Sequence, residues 1–190
     1  MIRVNKTAAR ALDADHHSRR SGSYTAQVFY PGENTIPDFK LIEVSETPYL
    51  YVSKSCGMAP ADISQAMGAA FGQVWAFMQA NDITPAGWAL SVYDRYDPDT
   101  MIFRSGFSID RADMSRAKGD VKADVTPAGE EIHFVHKGSY ATLRDDYALM
   151  MTHITNIGRA VSAPTWEVYL NSPDQVAEED LRTAVYSMVK

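Results

Sequence analysis

The 190-residue chain contains a single cysteine, Cys56. A lone thiol cannot close an intrachain disulfide or build a cysteine zinc cluster, and a reducing cytoplasm is the simplest compartment for it. Positive charge is also scarce. Lys and Arg total 18 against 24 Asp and Glu, which leaves a net charge of −6 and a pI near 5.3. A general nucleic-acid binder carries a basic surface, so direct nucleic-acid binding is not expected. No apolar run approaches the ~18 residues of a membrane span. The start, "MIRVNKTAARALDADHHSRR", lacks the apolar segment of a secretory signal. These absences predict a soluble, cytoplasmic protein. The chain also lacks a G-x-S-x-G elbow, a Walker loop and a G-x-G-x-x-G turn, so serine-hydrolase and nucleotide-fold readings have no support.

Metal ligands are no better represented. His133 and His136 lie three apart in a strand-like run, so they point to opposite faces. "DRYDPD" lacks the spacing of a calcium loop. Cys56 ends a strand candidate before Gly57, with no neighbour that would activate it. No metal and no cofactor is expected.

What is present is a repeat. The composition, 45% hydrophobic and 22% charged, is that of an ordinary globular protein, long enough for one core. Residues 1–37 stand apart: they hold "HHSRRSGS" and Pro31, Gly32 and Pro37, with little periodicity. They read as a partly ordered extension with a short helix near Thr7 to Leu12, and residues 38–190 as the folded domain. There, "FKLIEVSE" and "YLYVSKS" are strands, followed by a helix from about Ala59 to Ala80 with Pro60 in its first turn. Its stripe is Ile63, Met67, Phe71, Val74 and Met78. Gly68 and Gly72, one turn apart, suggest close packing on a sheet. "GWALSVYDRY" and "MIFRSGFSID" form a hairpin around Asp97-Pro98-Asp99.

The order then recurs. Thr126-Pro127 echoes Thr47-Pro48, and Gly138 ends "EEIHFVHKG" as Gly57 ended the earlier strand. Ser139 is the expected N-cap of a second helix, with Tyr140, Leu143, Tyr147, Met151, Ile154 and Ile157 as its stripe and Gly158 as its stop. "TWEVYLNSPD" matches "WALSVYDRYDPD", and "RTAVYSMV" closes the chain. The fold class is α+β: two pseudo-symmetric strand–helix–strand–strand repeats form one antiparallel sheet with both helices on one face. The pseudo-two-fold junction is a natural place for a pocket.

Period-two alternation divides the strand residues between the two faces. If the helices cover Leu50, Val52, Trp88, Leu90, Val92, Trp166, Val168 and Leu170, the opposite face carries Tyr49, Tyr51, Ser91, Tyr93, Glu167 and Tyr169. A slip of one residue would invert this assignment. Four tyrosines around one carboxylate suit a cationic or hydrogen-bond-donating aromatic ligand. Tyr140 and Trp88 complete the candidate contacts, Tyr140 being equally a core anchor and Trp88 a core residue under this register, with the pocket edge as its alternative.

"EVSETPYLYVSKSCG", "TPAGEEIHFVHKGSYATLRDDY" and above all "WEVYLNSP…LRTAVYSMV" resemble the GyrI-like small-molecule-binding domain. That domain is the effector-binding module of BmrR-type and many AraC-type regulators and is related to SOUL proteins. The resemblance runs from about Phe39 to Lys190. Its most specific parts are H-x-G-x-Y at His136, Gly138 and Tyr140, and EVY-x-x-x-P from Glu167 to Pro173. It implies that Glu167 is the acid of the ligand pocket, close to aromatic side chains. It leaves three functions open. One is a stand-alone binding domain for hydrophobic, including cationic, aromatic small molecules, acting by sequestration or effector sensing. The second is a hydrolase of strained, cyclopropane-containing genotoxins with Glu167 as catalytic residue. The third is an inhibitor of a gyrase-like protein partner.

Overall fold

A computed structural model describes residues 36–190. The helix expected near Thr7 to Leu12 and most of the expected extension lie outside the described residues.

Eight strands and two α-helices follow in chain order: β1 (Lys40–Val44), β2 (Pro48–Gly57), α1 (Pro60–Ala80), β3 (Ala89–Tyr96), β4 (Thr100–Ser108), β5 (Lys122–Val125), β6 (Gly129–Lys137), α2 (Leu143–Asn156), β7 (Val161–Tyr169) and β8 (Arg182–Val189). They form one sheet in the order β1-β6-β8-β7-β3-β4-β2-β5, antiparallel throughout. The predicted repeats are plain in this order. The half β6-β8-β7 mirrors β3-β4-β2 about the β7–β3 junction. β1 and β5 are exchanged: each precedes one repeat in sequence and pairs with the other.

The exchange forces the sheet to curl. β1 and β2 stand six strand spacings apart, roughly 29 Å in a flat sheet. The connection from Val44 to Pro48 can span at most about 14 Å. The helix-free face therefore closes on itself. The two crossovers meet there: Thr126 N–H donates to the Thr47 carbonyl at 3.0 Å, and Thr47 N–H donates to Thr126 Oγ1 at 2.9 Å.

Apolar stripes rather than caps hold the helices. α1 has Pro60 in its first turn and no side-chain cap. It buries Ala70, Val74 and Met78 against Leu50, Val52 and Phe103 of β2 and β4. α2 buries Leu143, Met150 and Ile154 against Ile132, Phe134 and Val185 of β6 and β8. Each such large apolar side chain stabilises by roughly 1.5–3 kcal/mol when buried. Met150, not Met151, carries the second stripe, and Ile157 and Tyr140 are partly exposed. Thr142, not Ser139, is the residue before α2. Gly158 adopts a φ of 71° just past α2, as a helix stop requires.

Both outer pairs of strands thus lie beneath a helix, while the central pair, β3 and β7, runs between the two. The residues of the β3–β7 junction that face the helix side therefore stand between α1 and α2, within reach of Tyr147 and Phe71.

Candidate functional site

In the β3–β7 ladder Leu90 pairs with Val168, Ser91 with Glu167 and Val92 with Trp166. Alternation sends Ser91, Tyr93, Glu167 and Tyr169 to one face, as the sequence predicts. That face is the helix side. Leu90, Val92 and Trp166 instead pack with Tyr49 inside the curled sheet. The expected assignment was inverted for the central strands and right for β2, where Leu50 and Val52 do lie under α1. The reason is the curl. A helix-free face that closes on itself excludes water and takes apolar side chains too, so apolarity does not mark the helix side.

Glu167 is 5% exposed. Tyr93 donates to its Oε2 at 2.7 Å, Tyr169 to the same oxygen at 2.9 Å, and Tyr147 of α2 to Oε1 at 2.9 Å. Burial pushes the carboxyl above its usual range, and the three tyrosine bonds and nearby His136 only partly offset this. Burial and the neighbouring Glu167 charge hold Tyr93, Tyr147 and Tyr169 well above the usual phenol range. They therefore remain protonated donors. Among the described residues, no Lys or Arg forms an ion pair with Glu167.

Aromatic rings extend the site. Phe71 of α1 and Tyr140, in the turn before α2, each meet the Tyr169 ring edge-to-face, at 5.8 and 6.0 Å. Met67 Sδ lies 3.9 Å from the Tyr169 hydroxyl. Tyr140 is 41% exposed and stands at the rim. His136 is fixed between Asp146 Oδ2 (2.6 Å to Nδ1) and the Ser139 carbonyl (3.0 Å to Nε2). Both ring nitrogens thus have an oxygen partner, which fixes the orientation of the ring. This places the H-x-G-x-Y motif beside Glu167.

Three of the predicted contacts do not join this group. Tyr49 and Tyr51 lie on the other face of the sheet, separated from Glu167 by its thickness. Their rings sit under the Arg104 guanidinium at 6.0 and 5.3 Å, and Asp94 and Asp124 hold that guanidinium in place. Trp88 is 55% exposed and lines a cavity on that same inner side. Sequence reasoning missed Tyr147 as a site residue, along with Met67, Phe71 and His136. Tyr147 fits the apolar stripe of α2, yet a tyrosine among Leu, Met and Ile brings a hydroxyl that must find a partner.

The inner side also holds a second buried acid. Glu131 is 0% exposed, and neither of its carboxylate oxygens has a hydrogen-bond partner among the described residues. Burial, with Glu43 nearby, pushes it up to about 8. No group of three or more His, Cys, Asp or Glu suited to a metal occurs among the described residues. None of their helices is long and apolar enough to cross a membrane.

The geometry can be set beside known proteins. Comparison with curated protein sequences finds no match. Among solved structures, the EcmrR C-terminal domain superposes with a TM-score of 0.65 at 20% identity, over 82% of this chain and 98% of that one. EcmrR in its DNA complex gives 0.66 at 19%, over 82% and 58%. SAV2435 bound to tetraphenylphosphonium gives 0.55 at 12%, over 80% and 94%. At these identities the likeness is one of fold. The family model for the GyrI-like small molecule binding domain matches residues 37–190, and the chain belongs to that family.

Proposed function

We propose that the domain binds hydrophobic, cationic aromatic small molecules in the groove between α1 and α2, with Glu167 as the countercharge. One observation carries the reading: a buried carboxylate with no Lys or Arg ion pair among the described residues, held by three tyrosine hydroxyls and walled by aromatic rings. Burying an acid is costly unless something compensates its charge. Here tyrosines compensate it in part, and a ligand cation supplies the rest. A desolvated cation over an aromatic face gains a further ~2 kcal/mol. Tyr93, Tyr147, Tyr169 and Tyr140 are the rings in position to do this. That a protein of the same fold is bound to tetraphenylphosphonium, a cation carrying four phenyl groups, supports the reading. The biological role is sequestration of such compounds or sensing of them as effectors.

The test is a titration with a panel of cationic dyes, followed by tyrosine and tryptophan fluorescence. Binding at micromolar concentrations that weakens at least tenfold in Glu167→Gln supports the proposal. A panel in which every dye binds both proteins equally overturns it.

The buried acid beside protonated phenols also favours a second reading, hydrolysis of a strained electrophile with Glu167 acting on a water. Catalytic amounts of protein are incubated with a cyclopropane-bearing alkylator. Many turnovers per protein, lost in Glu167→Gln, would establish it, and stoichiometric binding alone would exclude it.

A further inference from the structure

Behind Glu167, on the other face of the same two strands, lies a cavity. Leu90 and Val168 are register partners beside the Ser91–Glu167 pair. Alternation turns them away from Glu167 and into the curled sheet. With Trp88, Trp166 and Tyr186 they line a cavity of about 220 Å³. Thr47 and Thr126, bonded to each other at the crossover, also line it.

The cavity is large enough for a ligand. An apolar cavity of about 150 Å³ takes up benzene. A volume near 220 Å³ suits a molecule of one to two rings. Its wall is flat and rigid. Trp166 stacks on Tyr186 at 5.5 Å and 11°, and Tyr186 stacks on His133 at 4.5 Å. These three residues are direct register partners on β7, β8 and β6, so the strands themselves hold the stack. The polar residues lining the cavity include Ser45, Thr47, Ser108 and Thr126, and among the described residues no charged one lines it. A lining of apolar and uncharged polar residues favours a neutral ring with a hydroxyl or amide over a charged ligand. Trp88 is a large apolar residue left more than half exposed beside the cavity. An occupant reaching the mouth would cover it and gain its apolar area.

We propose that this cavity is a second binding site, separate from the Glu167 groove, for an uncharged planar aromatic molecule of one to two rings that carries a hydrogen-bonding group. It does not depend on what the groove binds.

The experiment uses the full chain and 2-naphthol, with the indole N–H signals of the tryptophans followed in a proton–nitrogen correlation spectrum. Trp88 and Trp166 line the cavity, whereas Trp75 on α1 packs near Phe107 on the helix side. The expected result is a saturable shift of the Trp88 and Trp166 signals, with Trp75 unmoved. Val168→Phe, which fills the cavity, should weaken binding at least tenfold. Trp88→Ala, a change at an exposed residue, should weaken it at least threefold and serves if Val168→Phe does not fold. Signals that stay still at millimolar 2-naphthol would overturn the proposal. So would a shift confined to Trp75, or binding that both variants leave unchanged.

Discussion

Ser91 and Glu167 are register partners at the centre of the β3–β7 ladder, and each is also the other's counterpart in the internal repeat. The pseudo-two-fold axis therefore passes between them. One side of the axis holds a serine, whose Oγ lies 2.5 Å from Ser105 Oγ, and the other an acid bonded to three tyrosines. Tyr93 and Tyr169, also equivalent in the repeat, both donate to that acid. Two near-symmetric halves thus supply matching phenols to a single charge, and the fold requires no acid at the Ser91 position.

Glu167→Gln should make the unliganded protein more heat-stable at pH 7–8. The folded-state pKa of Glu167 is raised because burial outweighs its hydrogen bonds. Its ionised form therefore counts against folding, and stability is lost as pH rises from the unfolded value through the folded one. Glutamine removes the charge and retains an acceptor for a tyrosine. Thermal melts at pH 7–8 should show a higher Tm for the variant. A lower Tm at every pH would mean that the tyrosine bonds outweigh burial.

Cation binding should be lost on acidification. Glu167 titrates above the ordinary 4.5, so the midpoint of that loss should lie above 4.5. Dye affinity measured from pH 4 to 8 should fall with acid in the wild type and stay flat in Glu167→Gln.

Glu131 makes a different prediction. Its pKa of about 8 lies far above the ordinary 4.5, so the fold should lose stability as pH rises from about 4.5 to 8. Glu131→Met should therefore stabilise the protein at pH 7, by on the order of 3 kcal/mol. Urea denaturation across this range should show a shallower pH slope in the variant. An unchanged slope would locate the proton uptake elsewhere.

The glycines divide sharply. A Cβ on Gly106 would lie 1.8 Å from the Leu50 carbonyl oxygen, so Gly106→Ala must push β4 off β2. A loss of about 1–3 kcal/mol or more is expected from such overpacking. Gly68 and Gly72 of α1 have open space where a Cβ would go. The close packing expected from their spacing is absent, and alanine at either should stabilise the helix by up to about 1 kcal/mol. Denaturation midpoints of the three variants check both signs.

Much of this was legible in the sequence, and the limits have physical causes. Strand periodicity placed Tyr93, Glu167 and Tyr169 on one face because that relation is local. Which face it was depended on the sheet's curl, which the β1–β5 exchange imposes and no local pattern records. Alternation alone groups Tyr49 and Tyr51 with the acid. Their charged partner, Arg104, comes from the neighbouring strand β4. Tyr147 was hidden because one stripe on α2 serves both core and site.

The central claim is that Glu167 gives the groove its preference for positive charge. The most direct test is calorimetric titration of wild type and Glu167→Gln with tetraphenylphosphonium and with neutral triphenylphosphine oxide. The account predicts that the wild type binds the cation at least tenfold more tightly than the neutral compound, and that the variant shows no such preference. Equal preference in the two proteins would contradict it.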